Sequence, residues 1–178
     1  MARDVKTVQV VSDSAGVNLA FTAFVAANGG QYDNTAQTAK MIFGSNNKPF
    51  SIIIKIFTLS NWCHCGIIDG DYVIDSTLAT GVRRITLNEW KTHYSKYEIV
   101  EMPVKNLNTS LEWARGEVGK KYDMLGILSL AVRKNYEERD KWFCSELVAE
   151  YLGIQYKVWR LSPQFLKQLS NVLKGWIS

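Results

Sequence analysis

Between residues 51 and 104 the chain strings together short β-branched and aromatic runs separated by turn residues, and from residue 107 onward its apolar spacing turns helical. That segregation limits the fold more than any other feature. Strands that follow one another at short intervals pair antiparallel, and helices that come after them cover the sheet. The expected class is therefore α+β, an antiparallel sheet or meander packed against helices.

In the first block, "SIIIKIFTL" (51–59) reads as a strand, and "WCHCGII" (62–68) runs into "DGD", a tight hairpin signal. "DYVIDSTL" (71–78), "GVRRITL" (81–87) and "YEIVEMPV" (97–104) follow as strands. "TLNEWKTH" (86–93) reads as a short helical turn capped by Thr86 or Asn88, with Trp90 packing inward. In the second block, "NTSLEWARGEVGKKYD" (108–123) opens on a cap at Asn108 or Thr109. "MLGILSLAVRK" (124–134) is a second helix. "FCSELVAEYLG" (143–153) is a third, stopped by Gly153, and "LSPQFLKQLSNVLKGW" (161–176) a fourth, with Ser162 as cap and Pro163 in the first position.

Residues 1–50 have another texture. They hold "VKTVQVV" (5–11), a β-like run, then the apolar "GVNLAFTAFVAA" (16–27), whose periodicity does not separate strand from helix. A Gly-, Asn- and Thr-rich segment with turn signals follows (28–50). We expect 1–50 to be an N-terminal extension carrying a strand or docking segment within the same globular unit, and 51–178 to be the functional domain.

With 178 residues, 47% hydrophobic, the chain can build one sizeable core. A net charge of +4 from scattered Lys and Arg is too mild for a dedicated nucleic-acid binder and suits an anionic wall or membrane surface. No apolar run reaches a membrane span, and "MARDVKTVQV" does not read as a secretory signal. Three cysteines do not suggest a disulfide framework, and reduced thiols point to a cytoplasmic or virion-associated chain.

"WCHCGII" sets His64 between Cys63 and Cys65. In a strand the side chains alternate, so both thiols face one way and His64 and Gly66 the other; three neighbours cannot close on one tetrahedral metal, and no metal or cofactor is expected. Cys63 and Cys65 read as small buried residues. Cys144 falls at the start of the third helix, where amide groups and the helix dipole favour a thiolate. Position alone leaves open whether it packs or reacts. A reacting thiol needs a base and the base an orienting group. His64 can supply the first, and Asp75, across the hairpin, the second. His93, in the polar "KTHYSK", reads as a surface residue.

These residues resemble a known superfamily. "GKKYDMLG…KWFCSELVAEYL" is similar to the pattern of NlpC-type cell-wall cysteine peptidases, which have a papain-like fold: a Gly-x-x-Tyr turn, then Asp-Cys-Ser-Gly-Leu opening a helix. Gly119 and Tyr122 match the turn, and Cys144, Ser145 and Leu147 the helix start. "CHCGIIDGDYVIDS" resembles the family's His-x-Gly-Ile strand and the strand after it. His64 precedes Cys144 by 80 residues, the reverse of the ordinary order. That order resembles the circularly permuted branch, the YiiX-like group and the related lecithin retinol acyltransferase group. The likeness covers about residues 50–165, with Glu146 where the cell-wall enzymes carry Gly and Asp75 where permuted relatives often carry Glu or His.

The resemblance implies a Cys144 nucleophile, a His64 base and an Asp75 orienting acid. It implies that Tyr122 and the amides at Cys144 or Ser145 face the substrate or oxyanion, although Tyr122 also suits a core position. The implied activity is a cysteine hydrolase acting on an amide or ester through an acyl-enzyme. Peptidoglycan peptides are the first expected substrate, with phage- or lysis-borne delivery, and a lipid amide or ester is the second. A non-catalytic assembly component is the third reading, with residues 1–50 docking onto a larger structure.

Overall fold

Five antiparallel strands form the sheet: β1 (Gln37–Ser45), β2 (His64–Asp69), β3 (Tyr72–Thr77), β4 (Gly81–Thr86) and β5 (Lys96–Val104), in the order β4-β3-β2-β1-β5. The coordinates are a computed structural model, and it describes residues 37–58, 60–104, 106–124, 141–154 and 162–177. The runs at 5–11 and 16–27, and all but the first residue of the expected helix at 124–134, lie outside these.

The hairpin, the strands at 72–77, 81–86 and 96–104, and the α+β class are as expected. β1 was hidden in the Gly- and Asn-rich segment, within the expected 1–50 extension. It lies inside the sheet, paired with β2 (Met41 opposite Ile67) and along its whole length with β5. Its alternation explains why: Ala39, Met41 and Phe43 point into the large core, while Ile42 joins Val73 and Trp90 on the other face.

"SIIIKIFTL" is not a strand. Residues Pro49–Thr58 form helix α1. Pro49 presets the first helical φ, and the isoleucines at 52, 53, 54 and 56 do not by themselves separate helix from strand. Ile54 is buried, whereas Ile52, Ile53 and Ile56 are exposed.

Helix α2 (Leu87–Thr92) covers the smaller face. Thr86 caps it, its Oγ1 accepting the Glu89 N–H, and Trp90 is fully buried. The larger face is covered by α3 (Leu107–Gly116), α4 (Cys144–Tyr151) and α5 (Pro163–Ile177). The cap of α3 is Asn106, not Asn108 or Thr109: its side chain accepts the Thr109 N–H at 3.0 Å, so those two fall inside the helix. Ser162 caps α5 by accepting the Phe165 N–H, as expected. The Gln164 Oε1 on α5 accepts the Asn61 N–H, which ties that helix to the segment entering β2.

Candidate active site

Register places one wall of the site. Gly66 on β2 pairs with Asp75 on β3, and Asp75 with Arg83 on β4, so the three lie in one row across the sheet. A Cβ on Gly66 would stand 2.7 Å from the Val73 Cγ1 and 3.2 Å from the Asp75 Cβ, so only glycine lets β3 come this close. Asp75 is fully buried and its carboxylate is saturated. Oδ1 accepts from the Arg83 Nε at 2.8 Å, and Oδ2 from the His64 Nε2 and the Trp90 Nε1, each at 2.9 Å. Burial alone would push the Asp75 pKa up; the His64 and Arg83 bonds and charges outweigh it and hold the carboxyl below its ordinary value.

His64 opens β2, beside Gly44 of β1. Its ring stacks on Tyr94, with centroids 5.6 Å apart and planes 10° apart, and Trp90 lies beyond. A Cβ on Gly44 would meet the Trp90 and Tyr94 rings at 2.7 Å, so this second glycine makes room for the aromatic pair. With Nε2 donating to Asp75, Nδ1 is the nitrogen left for its hydrogen bond to Cys144.

Cys144 comes from the other side of the sheet. It is the first residue of α4, 1% exposed, and packs in the large core with Cys65 and Phe143. Phe143, at the cap, has no acceptor of its own. Glu146 turns back instead, its Oε2 accepting the Phe143 N–H at 3.0 Å. That accounts for a carboxylate where the cell-wall pattern has glycine. His64 and Cys144 approach from opposite faces and meet where β2 begins.

The Cys144 thiol is pulled down to about 5. Burial acts against this, but the Cys65 thiol, the His64 charge and hydrogen bond, and the Cys65 backbone N–H together outweigh it. His64 is raised to about 10: burial would lower it, and the Cys144 thiolate and the Asp75 hydrogen bond dominate. Cys65 is itself pushed well above the ordinary thiol value, first by burial and then by Cys144, so it stays a proton donor. The two opposite shifts favour a thiolate–imidazolium pair.

The structure therefore brings Cys144, His64 and Asp75 into one connected chain. Tyr122 lies close by. It pairs in the short parallel contact of β6 (Lys121–Tyr122) with β7 (Lys141–Trp142), and its ring meets Phe143 edge-on at 6.1 Å. Its hydroxyl is held well above the ordinary value by burial and then by the Cys144 charge. Ser145 is fully buried as the second residue of α4.

Several neighbours of these residues were not read from the sequence. Cys65 is not merely packed, since it donates to Cys144. Cys63 lies before the strand starts, so alternation does not reach it; its Sγ points to the Gly44 carbonyl at 3.5 Å and lines a cavity with His64. His93 is not a plain surface residue. It caps the C-terminus of α2 and lines that same cavity. Trp90 is buried as its helical turn predicts, but its bond to Asp75, like Arg83 and Tyr94, carries no sequence signal; only strand register and stacking reveal these.

A buried cysteine at a helix start, a histidine and a buried carboxylate, on a sheet whose histidine strand precedes the cysteine helix, match the arrangement of a papain-like fold in permuted order. Residues 33–171 match the family described as permuted papain-like amidase enzymes, the YaeF/YiiX or C92 family. The chain belongs to that family, and so is a cysteine hydrolase of the amidase type. No curated protein shows a significant match to it. Among the described residues no helix is long and apolar enough to cross a membrane.

Proposed function

We propose that this amidase uses Cys144 as nucleophile, His64 as base and acid, and Asp75 to hold His64, and that its substrates are peptide amides of the kind found in peptidoglycan. The observation that carries the reading is the 2.9 Å contact of the His64 Nε2 with the buried Asp75 Oδ2, on an imidazole that the neighbouring Cys144 holds above its ordinary value. The thiolate attacks the carbonyl carbon, and the electron pair moves onto oxygen. The oxyanion is received by the amides at the start of α4, at Cys144 or Ser145, with Tyr122 alongside. As the carbonyl reforms, the C–N bond breaks and His64 gives its proton to the leaving amine. Water then loses a proton to His64 and attacks the thioester, releasing the acid and restoring the thiolate.

A lipid amide or ester is the second reading. It is favoured by the exposed Ile52, Ile53 and Ile56 on α1, the helix whose Ser51 and Ile54 line the cavity beside His64. Iodoacetamide at pH 6 tests the shared chemistry. Cys144 is expected to be alkylated well ahead of Cys65, and Cys144→Ser to stop release of new carboxylates from both muropeptides and acyl-amide lipids. Equal, slow labelling of these two thiols would overturn the mechanism. Cleavage of lipid but not muropeptide would choose the second substrate.

A further inference from the structure

The cavity beside His64 holds about 520 Å³, within the range of small-ligand sites. Its lining carries Lys48, His64, Arg83 and His93 and, among the described residues, no carboxylate; His64 bonds Asp75. The Arg83 charge is already committed to Asp75. Lys48 is exposed, and the His93 Nε2 is buried with no hydrogen-bond partner among the described residues.

These two groups stand on a fastened wall. The Asn46 Nδ2 donates to the His93 carbonyl at 3.0 Å, and the Asn46 Oδ1 accepts the Lys48 N–H at 3.1 Å. The Ser95 N–H donates to the Ser45 carbonyl at 3.1 Å, and the Lys55 Nζ to the Asn47 Oδ1 at 3.0 Å. The backbones of the turn after β1 and of the end of α2 are thus joined, and Lys48 and His93 both line the cavity. Ile54, Leu78 and Tyr94 give the same space an apolar share.

We propose that this cavity selects acyl groups bearing a carboxylate, with Lys48 and His93 as specificity residues that receive it while the scissile carbonyl meets Cys144. The proposal rests on the amidase reading above and adds the charge of the substrate. A cationic acyl group would meet Lys48 without a compensating acid, whereas a carboxylate gains a charge-assisted bond from the ammonium and a partner at the orphaned His93 nitrogen.

The test compares succinyl-Ala coumarin amide with its neutral methyl ester. A charge-assisted hydrogen bond of about 1.5–3 kcal/mol corresponds to a selectivity of roughly 10–100-fold in kcat/KM for the acid. The ratio is expected to shrink in high salt, to approach one in Lys48→Met and to fall part of the way in His93→Phe. Calorimetry with glutarate and glutaramide reads the cavity without any turnover. Glutarate is expected to bind both the native chain and Cys144→Ser, and about tenfold or more weakly in Lys48→Met. Glutaramide binding as tightly as glutarate, neither binding, or a selectivity that Lys48→Met leaves intact overturns the proposal. Failure of both coumarin amides with Cys144 inert to iodoacetamide, while glutarate still binds through Lys48, would instead sink the amidase mechanism and leave the anion site standing.

Discussion

At the residue scale, the reactivity proposed for Cys144 rests on what surrounds it rather than on the thiol itself. Its folded pKa, near 5, lies below the ordinary value of 9.0, and that of His64, near 10, lies above 6.5. The signs follow. The depressed thiol contributes stability that is present above pH 9 and lost as pH falls through about 5. The raised imidazole contributes stability that is present below pH 6.5 and lost as pH rises through about 10. The reactive ion pair therefore spans about pH 5 to 10, and kcat/KM should rise through the first value and fall through the second; a profile still rising at pH 8 would contradict it. Cys144→Ser removes the thiolate, the largest influence raising His64. The His64 titration, followed by proton–carbon NMR, is then expected to move to lower pH, and an unmoved midpoint would mean the two do not touch. Cys65 contributes a thiol donor and a backbone donor, and only the first can be mutated away. Cys65→Val should move the Cys144 titration to higher pH and slow its iodoacetamide labelling at pH 6 by about two- to fifteenfold, because losing a hydrogen bond of about 1.5–3 kcal/mol only partly protonates a thiol that titrates near 5, and Cys65→Ser should restore most of it.

At the element scale, what could be read in the sequence followed from local rules. The hairpin at "DGD", the Thr86 and Ser162 caps, and Cys144 at a helix start each depend on a few neighbouring residues. What could not be read depends on partners distant in sequence. β1 looked like a loop because its turn-forming neighbours dominate its composition, and only pairing with β2 and β5 makes it a strand. α1 looked like a strand because isoleucine suits both states, and the choice is made by Pro49 and by β1 already filling the sheet. The Asp75–His64 link was legible from the hairpin, but the Arg83 and Trp90 bonds to Asp75 were not, because they come from the next strand and from a helix packed over it. The same row makes Gly66 a functional position without chemistry of its own. Gly66→Ala places a methyl against Val73 and Asp75. It should cost about 1–3 kcal/mol by overpacking and lower kcat/KM by about a hundredfold as Asp75 shifts under His64. Activity that survives the substitution would show that the carboxylate tolerates displacement.

At the scale of the whole molecule, the site needs both faces of the sheet, because His64 belongs to the α2 face and Cys144 to the α4 face. What keeps the helical layer in place therefore matters as much as the triad. Asp69, at the far end of β2, is a buried acid that ties the sheet to α3. Its Oδ2 accepts from the Arg84 Nε at 2.9 Å and the Arg115 Nε at 3.0 Å, and its Oδ1 from an Arg115 terminal nitrogen at 2.6 Å. The Arg115 bond and charge, with those of Arg84, hold its pKa below the ordinary value against the opposing effect of burial. A depressed carboxyl contributes stability that is present above the unfolded pKa, near 3.8, and is lost as pH falls through the lower folded value. Asp69→Asn keeps the shape and removes the charge. Because Arg115 is half exposed, the cost at neutral pH should be modest, about 1–3 kcal/mol, read as a lower denaturation midpoint in urea. The variant's stability should also fall less steeply than the native chain's between pH 5 and 3, because one linked proton has been removed. Its Cys144 labelling rate at pH 6 should match the native value, since neither Asp69 nor its arginines touch the thiol, the imidazole or Asp75. A variant that loses labelling while keeping its urea midpoint would mean that the Asp69 clamp acts on the site rather than on the fold.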